Sequence, residues 1–198
     1  MTYRVTLFIL RILLKLFLRI EVQGQGNIPI RGAFILCSNH ISYLDPPILA
    51  VGCFKRRLNF LAKEELFCNR FFGWYIRKLG AFPIKRNYSD IGAMKESIRR
   101  IRKGQPLVVF PEGGRSSDGK IGEGLPGVAL LAIKTKTPIV PAFIKSTDNT
   151  LSLDSKTFKF CKTYLKFGKP LNFYENNTQD YSEVTNRIIF SIKELSNS

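Results

Sequence analysis

The chain contains a single histidine, His40, and Asp45 follows it five positions later in the stretch SNHISYLDPP. A carboxylate that accepts the imidazole N–H fixes the tautomer and stabilises the imidazolium, so the other ring nitrogen can act as a general base. On a straight helix, five residues turn the chain by about 500°, and the two side chains would diverge by roughly 140°. A catalytic pair therefore requires that the loop between the two residues folds back on itself.

The simpler interpretation of Asp45, on residue chemistry alone, is a helix cap beside an incidental histidine. An aspartate directly before Pro46 is typical of a helix start. In both interpretations His40 lies in the loop that precedes the helix. The chain has no GxSxG nucleophile serine, so a base at His40 would activate a substrate hydroxyl rather than an enzyme nucleophile.

A second polar cluster, EGGRS at positions 112–116, follows the apolar run LVVF and a proline. Gly113 and Gly114 allow the backbone to approach a ligand closely and expose N–H groups. Arg115 offers a planar fork that suits a phosphate, and Glu112 can orient that arginine or a substrate hydroxyl. The alternative is a glycine-rich turn that carries a surface ion pair.

The elements that must position these clusters form an alternating pattern. Continuous apolar runs predict three buried strands, at residues 33–37, 107–110 and 139–144. Capping signals and helical spacing predict four helices beyond the N-terminal segment, and these begin at Asp45-Pro46, run from a Ser89 cap to Gly104, and cover 128–136 and 184–195. The alternation predicts an α/β fold, a single domain with a mostly parallel or mixed sheet flanked by helices.

Both polar clusters come directly after a predicted strand. In open α/β sheets, ligands bind at the carboxyl ends of the strands. If the strands at 33–37 and 107–110 are parallel neighbours, His40 and the segment 112–115 face one cleft. Residues 23–29 are rich in turn-forming residues and predict a connection between the N-terminal segment and the domain.

The N-terminal segment MTYRVTLFILRILLKLFLRI is apolar but is interrupted by Arg11, Lys15 and Arg19. These charges argue against a signal peptide and against a membrane-spanning helix. On a helix the basic residues fall within a sector of roughly 80°, and apolar residues cover the remainder. We expect residues 1–22 to form an amphipathic helix in a membrane interface and residues 23–198 to form the α/β domain. The alternative is a helix packed on the protein's own core.

Lysine and arginine total 31 against 15 for aspartate and glutamate, which gives a formal net charge of +16. This excess indicates a polyanionic partner, either nucleic acid or an anionic membrane surface. We favour the membrane and expect no nucleic acid, because the basic residues are not interleaved with aromatic residues as in nucleic-acid-binding modules. The four cysteines form no CxxC pair, so we expect reduced, mostly buried thiols and no metal site.

Five sequence blocks together resemble the lysophosphatidic acid acyltransferase family, the 1-acyl-sn-glycerol-3-phosphate acyltransferases, with glycerol-3-phosphate acyltransferases as wider relatives. In chain order they are NHISYLD at 39–45, FLAKEEL at 60–66, GAFPIKR at 80–86, FPEGGRS at 110–116 and VPAF at 140–143. One block alone is a weak signal, whereas five in the family's order are specific. The sequence departs from the family at Gly114, where threonine is frequent.

The resemblance implies transfer of an acyl group from acyl-CoA or acyl-acyl carrier protein to the hydroxyl of 1-acyl-sn-glycerol-3-phosphate, giving phosphatidic acid. His40 would be the base and Asp45 its partner. The residues implied to hold the acceptor and its phosphate are Lys63, Arg86, Glu112, Gly113, Gly114 and Arg115. The family's mechanism uses no metal and no cofactor beyond the acyl thioester. It also implies a peripheral or monotopic membrane protein at the cytoplasmic face.

Two other functions remain open at this point. The acceptor could be another lysophospholipid or a lyso-aminolipid, or the chain could be a non-catalytic protein that binds anionic lipid. Five aromatic residues between positions 67 and 75 could line an acyl-chain tunnel, although such a stretch is more often core or membrane contact.

Overall fold

A computed structural model describes residues 2–85, 90–146, 162–173 and 180–197 of the chain. Seven strands form one sheet. They are β1 (Glu21–Gln23), β2 (Ile35–Ser38), β3 (Asn59–Lys63), β4 (Ala81–Ile84), β5 (Leu107–Val109), β6 (Ile139–Lys145) and β7 (Tyr164–Phe167). The strand order is β1-β7-β6-β2-β5-β3-β4.

The centre of the sheet is parallel. Strand β2 pairs in parallel with β5 on one side and β6 on the other, and β3 pairs in parallel with β5 and β4. Strand β7 is antiparallel to β6, and β1 runs parallel to β7. The predicted mixed sheet is therefore confirmed, and the carboxyl ends of β2 and β5 lie side by side.

Within the described residues, six α-helices cover the sheet. They are α1 (Thr2–Leu18), α2 (Asp45–Gly52), α3 (Arg70–Lys78), α4 (Ile91–Arg102), α5 (Gly127–Thr135) and α6 (Tyr181–Asn197). Successive residues of β2 point to opposite faces, because side chains alternate along a strand. Leu36 joins a core formed with α1 and α2, whereas Ile35 joins a core formed with α4, α5 and α6. The helices are thus divided between two faces, and the result is a single α/β domain.

The three apolar runs became strands β2, β5 and β6 with shifts of one or two residues at their ends. Strands β1, β3, β4 and β7 and helix α3 were not predicted. Strand β4 lies at an edge of the sheet and contains Pro83, which is tolerated there because one side of an edge strand needs no ladder hydrogen bonds. Helix α4 is capped by Asp90, whose carboxylate accepts the Ala93 N–H at 2.9 Å. The predicted cap Ser89 lies outside the described residues.

Helix α1 buries a narrow stripe and exposes a wide apolar arc. Leu7, Leu14 and Leu18 are buried in the core that α1 shares with α2. Seven apolar side chains remain exposed, and they are Val5, Phe8, Ile9, Ile12, Leu13, Leu16 and Phe17. Packing on the protein's own core thus accounts for only part of the helix. Among the described residues, no helix combines the length and the hydropathy needed to cross a bilayer.

Cys37 and Cys53 are buried free thiols, as expected, whereas Cys68 is an exposed one. Burial raises the pKa of the Cys53 thiol to about 12, so this thiol stays protonated at neutral pH. Cys161 lies outside the described residues.

Candidate active site

The end of β2 is fastened to β6 by Asn39. Its side-chain amide donates to the Ile144 carbonyl at 2.9 Å, and its amide oxygen accepts the Ile144 N–H at 2.8 Å. Asn39 itself is buried. These two hydrogen bonds fix the position of the backbone immediately before His40, at the point where the chain continues from β2 into the loop.

His40 and Asp45 form the pair that the loop geometry required. The imidazole Nδ1 lies 2.8 Å from Oδ2 of Asp45. The same carboxylate oxygen accepts the backbone N–H groups of Ile41 and Ser42, each at 2.8 Å. Because that oxygen already accepts two N–H groups, it meets Nδ1 as an acceptor as well. Nδ1 therefore carries the ring proton, and the lone pair is left on Nε2.

The interpretation of Asp45 as a helix cap is wrong. Leu44 holds the cap position of α2, and Asp45 is the first helical residue. Oδ2 of its carboxylate turns back to the Ile41 and Ser42 N–H groups, which precede the helix. The side chain is fully buried, and these bonds and the contact with His40 replace hydration of Oδ2.

Glu112, which follows the end of β5, holds the histidine loop through hydrogen bonds to backbone N–H groups. Its Oε1 accepts the His40 N–H at 3.2 Å, and its Oε2 accepts the Gly122 N–H at 3.0 Å. The Ser116 N–H donates to the His40 carbonyl at 2.7 Å. Glu112 makes no contact with Arg115 within the described residues, so the prediction that it orients that arginine is wrong, whereas the alternative that it orients a substrate hydroxyl stays a prediction. Glu112 instead ties three loop segments together.

An aromatic ring fixes the plane of the imidazole. Phe110 stacks on His40 with ring centroids 3.9 Å apart and an interplanar angle of 15°. His40 retains 13% side-chain exposure, so the stacked ring is not closed off from solvent. Phe110 belongs to the FPEGGRS block, but nothing in its residue type predicts this contact.

Arg115 lies beside the histidine loop with an unsatisfied donor. Its Nη1 is buried and has no hydrogen-bond partner among the described residues. The guanidinium carbon sits 3.6 Å from the centroid of the Tyr43 ring, within the range of a cation–π contact. A buried donor without a partner is unfavourable, and an anionic group would satisfy it. Tyr43 is a site residue that the sequence pattern does not reveal.

Gly113 and Gly114 of the second cluster differ in whether a larger residue would fit. Gly113 has φ +72°, and a Cβ there would lie 2.5 Å from Cδ1 of Leu125, so only glycine fits. Its N–H bonds the Phe110 carbonyl at 3.0 Å and is not available to a ligand. A Cβ on Gly114 would meet nothing within 4 Å. The departure from threonine at position 114 therefore leaves empty space rather than a changed turn.

Lys63 ends β3, where it is exposed. The parallel register of β3 with β5 puts its carboxyl end at the same edge of the sheet as Glu112 and His40. Arg86 lies outside the described residues. Among the described residues, no group of three His, Cys, Asp or Glu side chains is placed to hold a metal ion.

An imidazole paired through Nδ1 and a nearby guanidinium with an unsatisfied Nη1 form an arrangement that can take a proton from a hydroxyl compound carrying an anionic group. The acyltransferase family model matches residues 19–145, the stretch that carries both polar clusters. The chain belongs to this family and, within it, to the lysophosphatidic acid acyltransferases.

The relatives agree in name. A 1-acyl-sn-glycerol-3-phosphate acyltransferase of Bacillus subtilis is 30% identical over 166 residues, which is 82% of this chain and 79% of the relative. A protein of the same name from Streptococcus pneumoniae is 33% identical over 159 residues, 78% of this chain but 57% of the relative. The solved structure of the 1-acyl-sn-glycerophosphate acyltransferase from Thermotoga maritima matches with a TM-score of 0.79 at 30% identity. That match covers 97% of this chain and 80% of the other.

Proposed function

We propose that the protein transfers an acyl group from an acyl thioester to the free hydroxyl of 1-acyl-sn-glycerol-3-phosphate and so forms phosphatidic acid. The observation that carries this proposal is the 2.8 Å contact between Nδ1 of His40 and a carboxylate oxygen that also binds two backbone N–H groups. That arrangement keeps the basic lone pair on Nε2. The names of the relatives supply the acceptor and the product.

In the proposed reaction, Nε2 of His40 removes the proton from the acceptor hydroxyl while the hydroxyl oxygen attacks the thioester carbonyl carbon. The buried Asp45 carboxylate stabilises the imidazolium that forms. When the tetrahedral intermediate collapses, the C–S bond breaks and the imidazolium returns the proton to the thiolate. The products are phosphatidic acid and a free thiol, and His40 is again neutral.

Arg115 is proposed to bind the acceptor phosphate. A phosphate oxygen would give the buried Nη1 the hydrogen-bond partner that it lacks, and guanidinium–phosphate bonds are charge-assisted. Lys63, at the same edge of the sheet, and Arg86 are proposed to add positive charge to this site. Glu112 and Gly113 would act by shaping the loop that presents Arg115, whereas Gly114 leaves room for the ligand.

The thioester donor is proposed to be acyl-CoA or acyl-acyl carrier protein, with no other cofactor. We further propose that the protein is peripheral or monotopic at the cytoplasmic face of the membrane, with residues 1–22 as the attachment and 23–198 as the acyltransferase domain. The exposed apolar arc of α1, beside its basic residues, supports attachment to an anionic surface. No observation favours nucleic acid as a partner.

The proposal is tested by incubating the purified protein in phospholipid vesicles with lysophosphatidic acid and oleoyl-CoA, and by measuring phosphatidic acid. The His40→Ala variant is the matched control. We expect product from the wild type and a rate lower by about 10²–10⁴-fold in the variant, the usual contribution of a general base. The same assay with oleoyl-acyl carrier protein identifies the donor.

Three outcomes would contradict the proposal. Turnover only with another lyso-acceptor would keep the chemistry and change the substrate. Vesicle binding without turnover on any acceptor or donor would favour a non-catalytic lipid-binding protein. A His40→Ala variant as active as the wild type would remove His40 from its role as base.

A further inference from the structure

Helix α3 presents aromatic side chains to solvent. Phe71 is 81% exposed and Trp74 is 52% exposed, although large aromatic residues are usually more than half buried. Their rings lie 6.2 Å apart. Both were candidates for an acyl-chain tunnel, but side chains this exposed line the outside of the described structure rather than a tunnel.

The outward direction of these rings is fixed by how α3 packs. Asn69 caps the helix by accepting the Phe72 N–H at 2.9 Å. Gly73 faces the preceding turn so closely that a Cβ would lie 2.9 Å from the Phe67 carbonyl oxygen. At 100° per residue, Phe71, Trp74 and Lys78 fall within roughly 60° of one another, on a side that Gly73 does not share. The aromatic face is therefore held outward by the helix's own contacts.

The aromatic face of α3 continues the exposed apolar arc of α1. The Tyr75 hydroxyl and the Thr6 hydroxyl are 3.1 Å apart and join the two helices. On α1, the exposed Leu13 lies about 20° from Thr6 and the exposed Ile9 about 60° from it. The two helices thus form one surface, which we call the α1–α3 face. We define it by the exposed apolar residues of α1 together with Phe71 and Trp74.

Positive charge borders the α1–α3 face on both sides. On α1, the exposed Arg4, Arg11 and Lys15 lie roughly 140–180° from Thr6, at the far limit of the apolar arc. On α3, the exposed Arg70 and Arg77 lie about 40–60° beyond Trp74 and form the border. Lys78 lies on the aromatic side itself, with Nζ 5.8 Å from the Trp74 ring centroid. An apolar strip between two cationic borders matches a bilayer with anionic head groups, since indole and phenyl rings favour the interface and cations favour its phosphates. A second copy of the chain is a poorer match, because each copy carries a net charge of +16.

We propose that α3 is a second membrane-contact element, which inserts Phe71 and Trp74 into the interface of an anionic phospholipid bilayer beside α1. This inference rests on the proposed function, because it adds to the membrane attachment assigned there to α1. It assigns α3 the task of fixing the tilt of the domain, since two contacts define an orientation that one helix leaves free to rotate.

The chain offers its own probe, because Trp74 is the only tryptophan. The full-length protein is reconstituted into vesicles of phosphatidylcholine and phosphatidylglycerol, and its tryptophan emission is compared with that in matched vesicles brominated on the acyl chains. We expect strong quenching by the brominated lipid and emission at shorter wavelength than in buffer. Unquenched emission from protein that sediments with the vesicles would overturn the proposal, since α1 alone would then account for binding.

A pair of matched variants tests the contribution to affinity. Phe71→Ser removes an exposed ring from α3, and Phe190→Ser removes a ring of 62% exposure from α6, on the opposite face of the sheet. We expect Phe71→Ser to weaken partitioning into anionic vesicles by about tenfold, the effect of removing one inserted aromatic side chain. Phe190→Ser should leave partitioning unchanged. Equal effects of the two variants would contradict a specific α3 contact.

Activity readouts separate this proposal from the proposed function. In detergent micelles, Phe71→Ser should retain the wild-type rate, whereas in vesicles its rate should fall with its partitioning. Absence of acyl transfer in every preparation, with Trp74 quenched as expected, would reject the enzyme assignment and keep the membrane contact. Blue-shifted emission that depends on protein concentration without lipid, with dimers in sedimentation, would assign the surface to a second copy instead.

Discussion

Asp45 and Arg115 are opposite charges on either side of one short loop, and the chain treats them differently. The buried Asp45 carboxylate accepts hydrogen bonds from His40, Ile41 and Ser42 in the loop that it closes. The buried Nη1 of Arg115 donates to no group in the described part of the chain, and the guanidinium carbon lies 3.6 Å from the Tyr43 ring centroid. The first group is complete before substrate arrives. The hydrogen bonding of the second group is completed only when an anion binds. Asp45 thus belongs to a preorganised base, whereas Arg115 is a group that binds the ligand.

The largest effect on kcat is expected from substitution of Asp45. The contacts with His40, Ile41 and Ser42 are all made by Oδ2, so an asparagine whose amide oxygen takes that place still accepts the Ile41 and Ser42 N–H groups and the Nδ1–H of His40. The tautomer is kept, but the negative charge that stabilises the imidazolium is lost. Because a hydrogen bond to a charged group contributes about 1.5–3 kcal/mol, we expect Asp45→Asn to lower kcat by about 10–100-fold. Steady-state kinetics with lysophosphatidic acid and the identified donor measure it.

Asp45→Ala is the control that separates chemistry from folding. It leaves two buried N–H groups without an acceptor, and each orphaned group costs about 1–3 kcal/mol. We expect its free energy of unfolding to fall by about 3 kcal/mol, against about 1 kcal/mol or less for Asp45→Asn. Urea denaturation measures both values. Equal stabilities of the two variants would show that the carboxylate does not hold the loop.

In contrast to substitution of Asp45, substitution of Arg115 should affect substrate binding rather than stability. Removing a donor that has no partner leaves nothing orphaned, so we expect Arg115→Ala to unfold at the wild-type midpoint or above it. Because a hydrogen bond to a charged group contributes about 1.5–3 kcal/mol, KM for lysophosphatidic acid should rise by about 10–100-fold, with a smaller change in kcat. Arg115→Lys keeps the positive charge but lacks the planar guanidinium, so its KM for lysophosphatidic acid should lie between the values of the wild type and Arg115→Ala.

The control substrate for Arg115 is a monoacylglycerol, which offers the same hydroxyl without the phosphate. If Arg115 binds phosphate, wild type and Arg115→Ala should use this acceptor at similar, slow rates. A variant that loses activity equally on both acceptors would place Arg115 in the chemical step or in the loop structure instead.

We expect a smaller effect on KM from substitution of Tyr43, whose ring contacts the Arg115 guanidinium. A cation–π contact is worth about 0.5–1 kcal/mol at an exposed site, so loss of the ring in Tyr43→Ala should raise KM for lysophosphatidic acid by about two- to fivefold. Tyr43→Phe keeps the ring and should match the wild type. In an Arg115→Ala background the Tyr43→Ala effect should disappear. An effect that persists there would mean that Tyr43 acts independently of the guanidinium.

The same contrast shows what the sequence predicts and what it leaves open. The pairing of His40 with Asp45 depends on six consecutive residues, so the local geometry of the loop is enough to predict it as a candidate contact. The contact between Tyr43 and Arg115 joins two loops that only the parallel pairing of β2 and β5 brings together. A stacking contact has no residue-type signature at such sequence separation. Glu112 was predicted at the site, but its bonds to the His40 and Gly122 N–H groups were not, because backbone N–H groups do not appear in a residue pattern.

The fold shows the same limit at the level of strands. Strands β2 and β6 lie within the sheet and are almost wholly buried, so their continuous apolar runs predict them. Strand β3 exposes its final lysine, and β7 alternates between buried and half-buried residues over four positions. Patterns that short match loops as well as strands. Helix α3 was missed because it is only nine residues long, and so few turns do not separate helical spacing from a short strand or a core stretch.

The smallest prediction concerns an ion pair whose partners are all supplied by one helix, far from the site. Hydrogen bonds from Arg99, and then from Arg100, hold the pKa of Glu96 at about 2. A lowered folded-state pKa contributes stability above the unfolded value of 4.5, and that contribution is lost as the pH falls toward 2. Because these groups are partly exposed, we expect Glu96→Gln to lose only about 0.5 kcal/mol at pH 7, with unchanged kcat. The difference in unfolding free energy between wild type and variant should vanish near pH 2, and a difference that persists there would assign the effect to packing rather than charge.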